Sequence, residues 1–144
     1  MNEPAGKSSE ADNQLRLVLR SLTIWLVIIV AEIVHGILRA ILFVPIVGEF
    51  RSNQIGVATG SAIILVIAYF TIRWIGAKRT LELLTVGFTW LVLTTAFEVL
   101  FGRFVMGLSW ERLGADYNLL NGGLMPLGLL VMLLSPMVAA KLRA

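Results

Sequence analysis

The sequence predicts an all-α integral membrane protein: an antiparallel bundle of four transmembrane helices, with a short interfacial helix in the third connection. Three observations predict it. Hydrophobic residues make up 58% of the 144 positions and charged residues only 15%, where a soluble domain carries about 25% charged residues. The mean hydropathy is +0.86. The apolar residues gather in four runs of the length a membrane helix needs, over residues 21–47, 54–75, 81–102 and 119–140. These runs cover most of the chain and leave no room for a separate soluble domain, so residues 15–144 form one domain.

The segment 1–14, MNEPAGKSSEADNQ, is rich in small residues, acids and proline and is expected to be a disordered cytoplasmic tail. A cleaved signal peptide is not expected, because the apolar run after Arg20 far exceeds a signal-peptide core of roughly 7–15 residues. The first run carries Glu32, His35 and Arg39, which fall on one helical face. A charged residue near the bilayer centre costs roughly 2.5–3.5 kcal/mol on insertion scales. Three ionisable groups in one span therefore require partners. Pro45 ends or kinks this helix, and residues 48–51 make a tight turn.

The second run opens with Ser52, Gly56 and Gly60, a small-residue strip flanked by Thr59. Such strips let membrane helices pack closely, and packing is the expected role here. A short connection over residues 76–80 leads into the third run, where Glu98 shares a stripe with Gly87, Thr94 and Gly102. Short connections make neighbouring helices antiparallel. In the third connection, 103–118, Ser109 followed by Trp110, Glu111, Arg112 and Gly114 reads as an N-capped short helix with a glycine stop. Trp110 and Tyr117 suit the headgroup level, or the segment is a lid over that end of the bundle. In the fourth run Asn121, Met125, Gly128, Met132 and Ser135 share a face.

Basic residues set the expected orientation. Lys7, Arg16, Arg20, Arg73, Lys78, Arg79, Lys141 and Arg143 fall on one side, against Arg51, Arg103 and Arg112 on the other, eight to three. Both termini are thus expected in the cytoplasm, in a cell inner (plasma) membrane. On this topology Glu32 lies near the midplane, His35 and Arg39 lie progressively nearer the outside, and Glu98 falls in the outer half of its helix at a depth similar to Arg39.

The expected site is an outward-facing cluster of Glu32, His35, Arg39 and Glu98, with Arg103, Asn118 and Asn121 at its rim. One reading makes it an internal ion-pair network, with Arg39 against Glu98 and His35 against Glu32 or a threonine. A second makes it a site that binds or transports a small ion or polar solute, since a carboxylate beside a histidine can change protonation in the physiological range. A third makes the chain an assembly subunit of a larger membrane complex. The expected partners are the lipid bilayer and either a homo-oligomer or such a complex.

Composition excludes other classes. With no cysteine, disulfides, thiolate metal sites and c-type haem attachment are ruled out. Glu32-x-x-His35 has the spacing found in carboxylate-bridged di-metal proteins, but there is one histidine in the chain and Arg39 opposes a cation. No metal is expected, and no cofactor is indicated. No basic patch lies outside the helix ends to bind nucleic acid, and no nucleophile motif accompanies the histidine, so an enzyme is not expected.

Overall fold

The computed structural model describes residues 5–143, with side chains from Ser9 onward. With no proline between Pro4 and Pro45, the backbone of Ala5–Leu42 forms one 38-residue helix, α1. The expected disordered tail differs from this. Residues 1–4 lie outside the described residues, and from Ala5 the chain is already helical. The alanines, lysine, glutamate and glutamine there are good helix formers, and extending an existing helix avoids the cost of nucleating a new one. At 1.5 Å per residue α1 is roughly 57 Å long, well beyond the roughly 30 Å of a hydrocarbon core.

The helix breaks at Phe43. A single turn, α2 (Val44–Val47), contains Pro45, and Gly48 turns the chain at φ +86°. Helix α3 (Glu49–Ile75) begins earlier than its apolar run and ends at Gly76, which adopts the left-handed conformation that a helix C-terminus favours. Helix α4 (Thr80–Leu100) starts where the Glu82 carboxylate accepts the Arg79 amide at 3.1 Å. A wider π turn, Phe101–Val105, completes it.

Ser109 caps α5 (Trp110–Asp116) by accepting the Arg112 amide at 3.1 Å, as its sequence predicts. Gly114, the expected stop, lies inside this helix instead, because its backbone is not left-handed; Tyr117 ends it. The fourth apolar run is also shorter as a helix than expected. Residues Leu119–Asn121 form a 3₁₀ turn closed by Gly122 at φ +91°, and α6 runs only over Met125–Leu142. The Gly122–Gly123 pair breaks the pattern, since glycine adopts this conformation without strain.

Among the described residues there is no strand, and four helices are long and apolar enough to cross a membrane. Only 22–28% of residues in the apolar windows of these helices are buried inside the protein. The remainder, including Leu26, Val30, Ile37, Val66, Phe70 and Leu130, presents apolar surface outward. A water-soluble monomer rarely exposes so much contiguous apolar surface, whereas a lipid environment requires it.

Helix α1 packs against α3 and α4, and α6 packs against the same two. Along α1 the partners on α3 run in reverse order: Arg20 meets Trp74, His35 meets Thr59, and Arg39 meets Ser52. The apolar core (Ile28, Ile64, Ala68, Ile72, Val86, Trp90, Met132) occupies the half nearer Arg20. Two tryptophans join α1 to α4 there: Trp90 Nε1 donates to the Ser21 carbonyl at 2.9 Å, and Trp25 Nε1 to Thr94 Oγ1 at 3.0 Å. In α6, Pro136 has no amide hydrogen for the Met132 carbonyl. The Ser135 hydroxyl donates to that oxygen at 2.8 Å instead.

Candidate functional site

Glu32, His35 and Arg39 stand at i, i+3 and i+7 on α1, so they share the face that meets α3. Glu32 lies roughly 18 Å along the axis from Arg20, beyond the apolar core. The space these side chains occupy comes from the glycines of α3. A Cβ on Gly56 would fall 2.5 Å from the Arg39 guanidinium carbon, and one on Gly60 would fall 2.9 Å from Glu32 Oε2. The Ser52, Gly56, Gly60 strip was expected to bring helix backbones together. It is instead a slot for the polar side chains of α1.

This distinction has a measurable sign. At an open helical position, Gly→Ala stabilises by about 0.5–1 kcal/mol. Gly56→Ala is expected to destabilise, by about 1–3 kcal/mol, because the guanidinium must leave its seat. Thermal unfolding in mild detergent measures this, and a gain in stability would refute the slot.

Arg39 Nη1 donates to the Ser52 carbonyl at 2.8 Å and to Asn53 Oδ1 at 2.9 Å. Asn53 in turn donates to Asp116 Oδ1 at 3.4 Å, and Arg112 donates to the same oxygen at 3.0 Å. Arg112 also lies 3.8 Å from Glu49. The expected Arg39–Glu98 pair is not formed: the Arg39 guanidinium is fixed to α3. Glu98 Oε2 accepts a hydrogen bond from Tyr117 Oη at 3.2 Å. Arg39 nonetheless remains within electrostatic range of Glu32, Asp116 and Glu98.

His35 makes both bonds foreseen for it. Its Nε2 lies 2.6 Å from Thr59 Oγ1, and its Nδ1 lies 3.4 Å from Glu32 Oε2. The Thr59 oxygen also lies 3.0 Å from the Ile55 carbonyl. The imidazole therefore bridges the Thr59 hydroxyl on α3 and the Glu32 carboxylate on its own helix, one ring nitrogen to each.

The third connection closes over these groups. Asp116 and Tyr117 reach α3 and α4, and Gln54 Nε2 donates to the Gly122 carbonyl at 2.7 Å. Tyr117 is half-buried and its hydroxyl is turned to Glu98 on α4. Burial pushes its phenol above the usual range, and the neighbouring Glu98 carboxylate raises it further, so it remains a protonated donor. Trp110, by contrast, is exposed, with the Arg103 guanidinium 5.4 Å from its ring centre.

Of the expected rim, Arg103 donates to the Leu108 carbonyl at 3.2 Å and serves its own connection. Asn118 and Asn121 take part in the 3₁₀ turn through their backbones, Asn121 N donating to the Asn118 carbonyl at 3.2 Å. The polar partners that sequence reasoning missed are Asn53, Asp116, Tyr117 and Arg112. Their only signal was polarity in two connections next to a cluster that lacked partners.

Three atoms of this region are shielded and have no hydrogen-bond partner: Glu32 Oε1, Arg39 Nε and Ser52 Oγ. They comprise an acceptor, a donor and a hydroxyl. Among the described residues no group of three or more His, Cys, Asp or Glu side chains is arranged to hold a metal ion.

Fold and cluster together define the class: an all-helical protein with four helices fit to span a membrane and an ionisable network between the first three. No family model, curated protein or solved structure matches this chain.

Proposed function

We propose that the four helices cross a cell inner (plasma) membrane as an antiparallel bundle with both termini in the cytoplasm, and that the chain binds or transports a small ion or polar solute. The site is the Glu32, His35, Arg39 and Glu98 region beneath the α5 segment, and no catalytic step is assigned to it. The reversed order of α1–α3 partners supports the bundle, and the eight-to-three distribution of basic residues supports the orientation. The observation that carries the functional reading is the set of three unpartnered polar atoms, Glu32 Oε1, Arg39 Nε and Ser52 Oγ. A purely structural network satisfies its members, because an unmatched buried polar group costs about 1–3 kcal/mol. The Glu32 carboxylate and the His35 imidazole, 3.4 Å apart, make that pair the natural coupling element.

Proteoliposomes holding the full chain and a trapped pH dye test this reading. Wild-type protein is expected to pass protons under an imposed gradient, and Glu32→Gln to abolish the flux. Flux that persists unchanged in Glu32→Gln would remove the proposal.

One observation favours a second reading, a subunit of a larger membrane complex. Thr59, the partner of His35, is exposed on the α1–α3 seam. A polar pair on a lipid-facing seam is costly unless another protein covers it. Purification in mild detergent with mass identification separates the cases: a stoichiometric partner supports the subunit, and a discrete particle of this chain alone opposes it.

A further inference from the structure

At the opposite end of the molecule, far from the polar cluster, the α3–α4 turn and the last turn of α6 shape an open cleft of about 510 Å³. Its lining combines Arg73, Lys78 and Arg143 with the apolar Ile72 and Ala140 and the Gly76 backbone, and among the described residues no acidic side chain lines it. Its size is that of a ligand cleft, which runs from roughly 300 to 1,000 Å³.

The two arginines are held in place. Arg73 Nη2 donates to the Arg143 carbonyl at 2.7 Å, and Arg143 Nη1 donates to the Tyr69 carbonyl at 3.2 Å while its guanidinium lies 4.9 Å from the Tyr69 ring centre. These bonds engage only one of the donors on each fork, leaving the others available. The acid nearest in sequence, Glu82, is turned to the α4 N-terminus, where it accepts the amides of Lys78 and Arg79 at 3.4 and 3.1 Å. A further cation stands close by: Arg20 donates to the Trp74 carbonyl at 2.7 Å and lies 5.1 Å from the Trp74 ring centre.

We propose that this cleft binds a phosphoryl oxyanion, in the form carried by the headgroup of an anionic phospholipid. Two guanidinium forks and an ammonium are the groups that recognise phosphate oxygens. They repel one another unless an anion lies between them. Basic pockets between membrane helices at the basic end of a bundle bind anionic headgroups in this way. Trp74 and Phe70 on the same helix are exposed apolar surface that acyl chains could cover.

The test uses the full chain in mild detergent, followed by native mass spectrometry with added phosphatidylglycerol, phosphatidylcholine or inorganic phosphate. Phosphatidylglycerol is expected to remain bound in preference to phosphatidylcholine. Lys78→Gln, whose side chain supports no structural bond, is expected to weaken its retention about fivefold, as one charge near a membrane surface does. Lys141→Gln removes a charge at the same end but outside the cleft, and is expected to leave retention unchanged. Binding of inorganic phosphate with the same dependence on Lys78 supports the oxyanion site and assigns its source to the free anion. Equal retention of the two lipids with no phosphate binding would overturn the proposal. So would equal losses in Lys78→Gln and Lys141→Gln.

Discussion

Replacing Arg39 with methionine is expected to destabilise the protein by roughly 3–5 kcal/mol, the range found when one member of a buried charge network is removed. Methionine nearly matches the volume and flexibility of the arginine stem, so the loss reports on the guanidinium. Its removal strands the Ser52 carbonyl and Asn53 Oδ1, which it holds at 2.8 and 2.9 Å. It also removes a cation whose charge is felt at Glu32, Asp116 and Glu98. Asn53 links Arg39 to Asp116, so α5 should loosen as well. Reversible denaturation in mixed micelles measures the stability, and proteolysis of the third connection measures the loosening. A cost below about 1 kcal/mol would show that the network contributes little, as an exposed ion pair does. Adding Glu32→Gln to Arg39→Met should return part of the loss, because neutralising the carboxylate removes the orphaned charge. Coupling of about 0.5–3 kcal/mol is expected for groups in one network.

The second large effect is expected from Gly87→Ala. Gly87 is buried on α4, and a Cβ there would overlap the carbonyl of Leu133 on α6. A side chain can rotate away from such a clash, but a helix backbone cannot, so the two helices must separate. Overpacking of this kind costs about 1–3 kcal/mol and at times more, which exceeds the gain of up to about 1 kcal/mol from alanine's helix propensity. The net effect is a loss of roughly 2 kcal/mol, measurable by the same denaturation. Gly36→Ala is the control. Its nearest neighbour would be Arg39 Nη2 at 3.9 Å, ordinary contact, so stability is expected to hold or rise. If the two substitutions behave alike, the α4–α6 approach is not the close contact described.

The two glycine positions show why similar sequence patterns carried different meanings. Gly56 and Gly60 form a recognised packing motif, yet they accommodate Arg39 and Glu32. Gly87 belongs to no such motif, yet it faces the backbone carbonyl of Leu133 on α6 so closely that a Cβ would overlap it. A glycine in the sequence says that space is available, and only the opposing helix decides whether a backbone or a side chain fills it. Tyr117 and Asp116 teach the same lesson for polar residues. They read as connection residues, but they are bonded to Glu98, 19 positions away, and to Asn53, 63 positions away.

The sequence by itself determined the number of long apolar helices, the face shared by Glu32, His35 and Arg39, and the N-cap of the short helix. Each depends on hydropathy or periodicity within a few consecutive turns, and the chain carries that information locally. Only the tertiary structure decided that Arg39 is held by α3 rather than paired with Glu98, that the glycine strip is a slot, and that the third connection closes over the cluster. Those outcomes depend on which groups meet across helices at hydrogen-bond range. A shift of one helix relative to another changes every such partner and leaves the hydropathy pattern untouched.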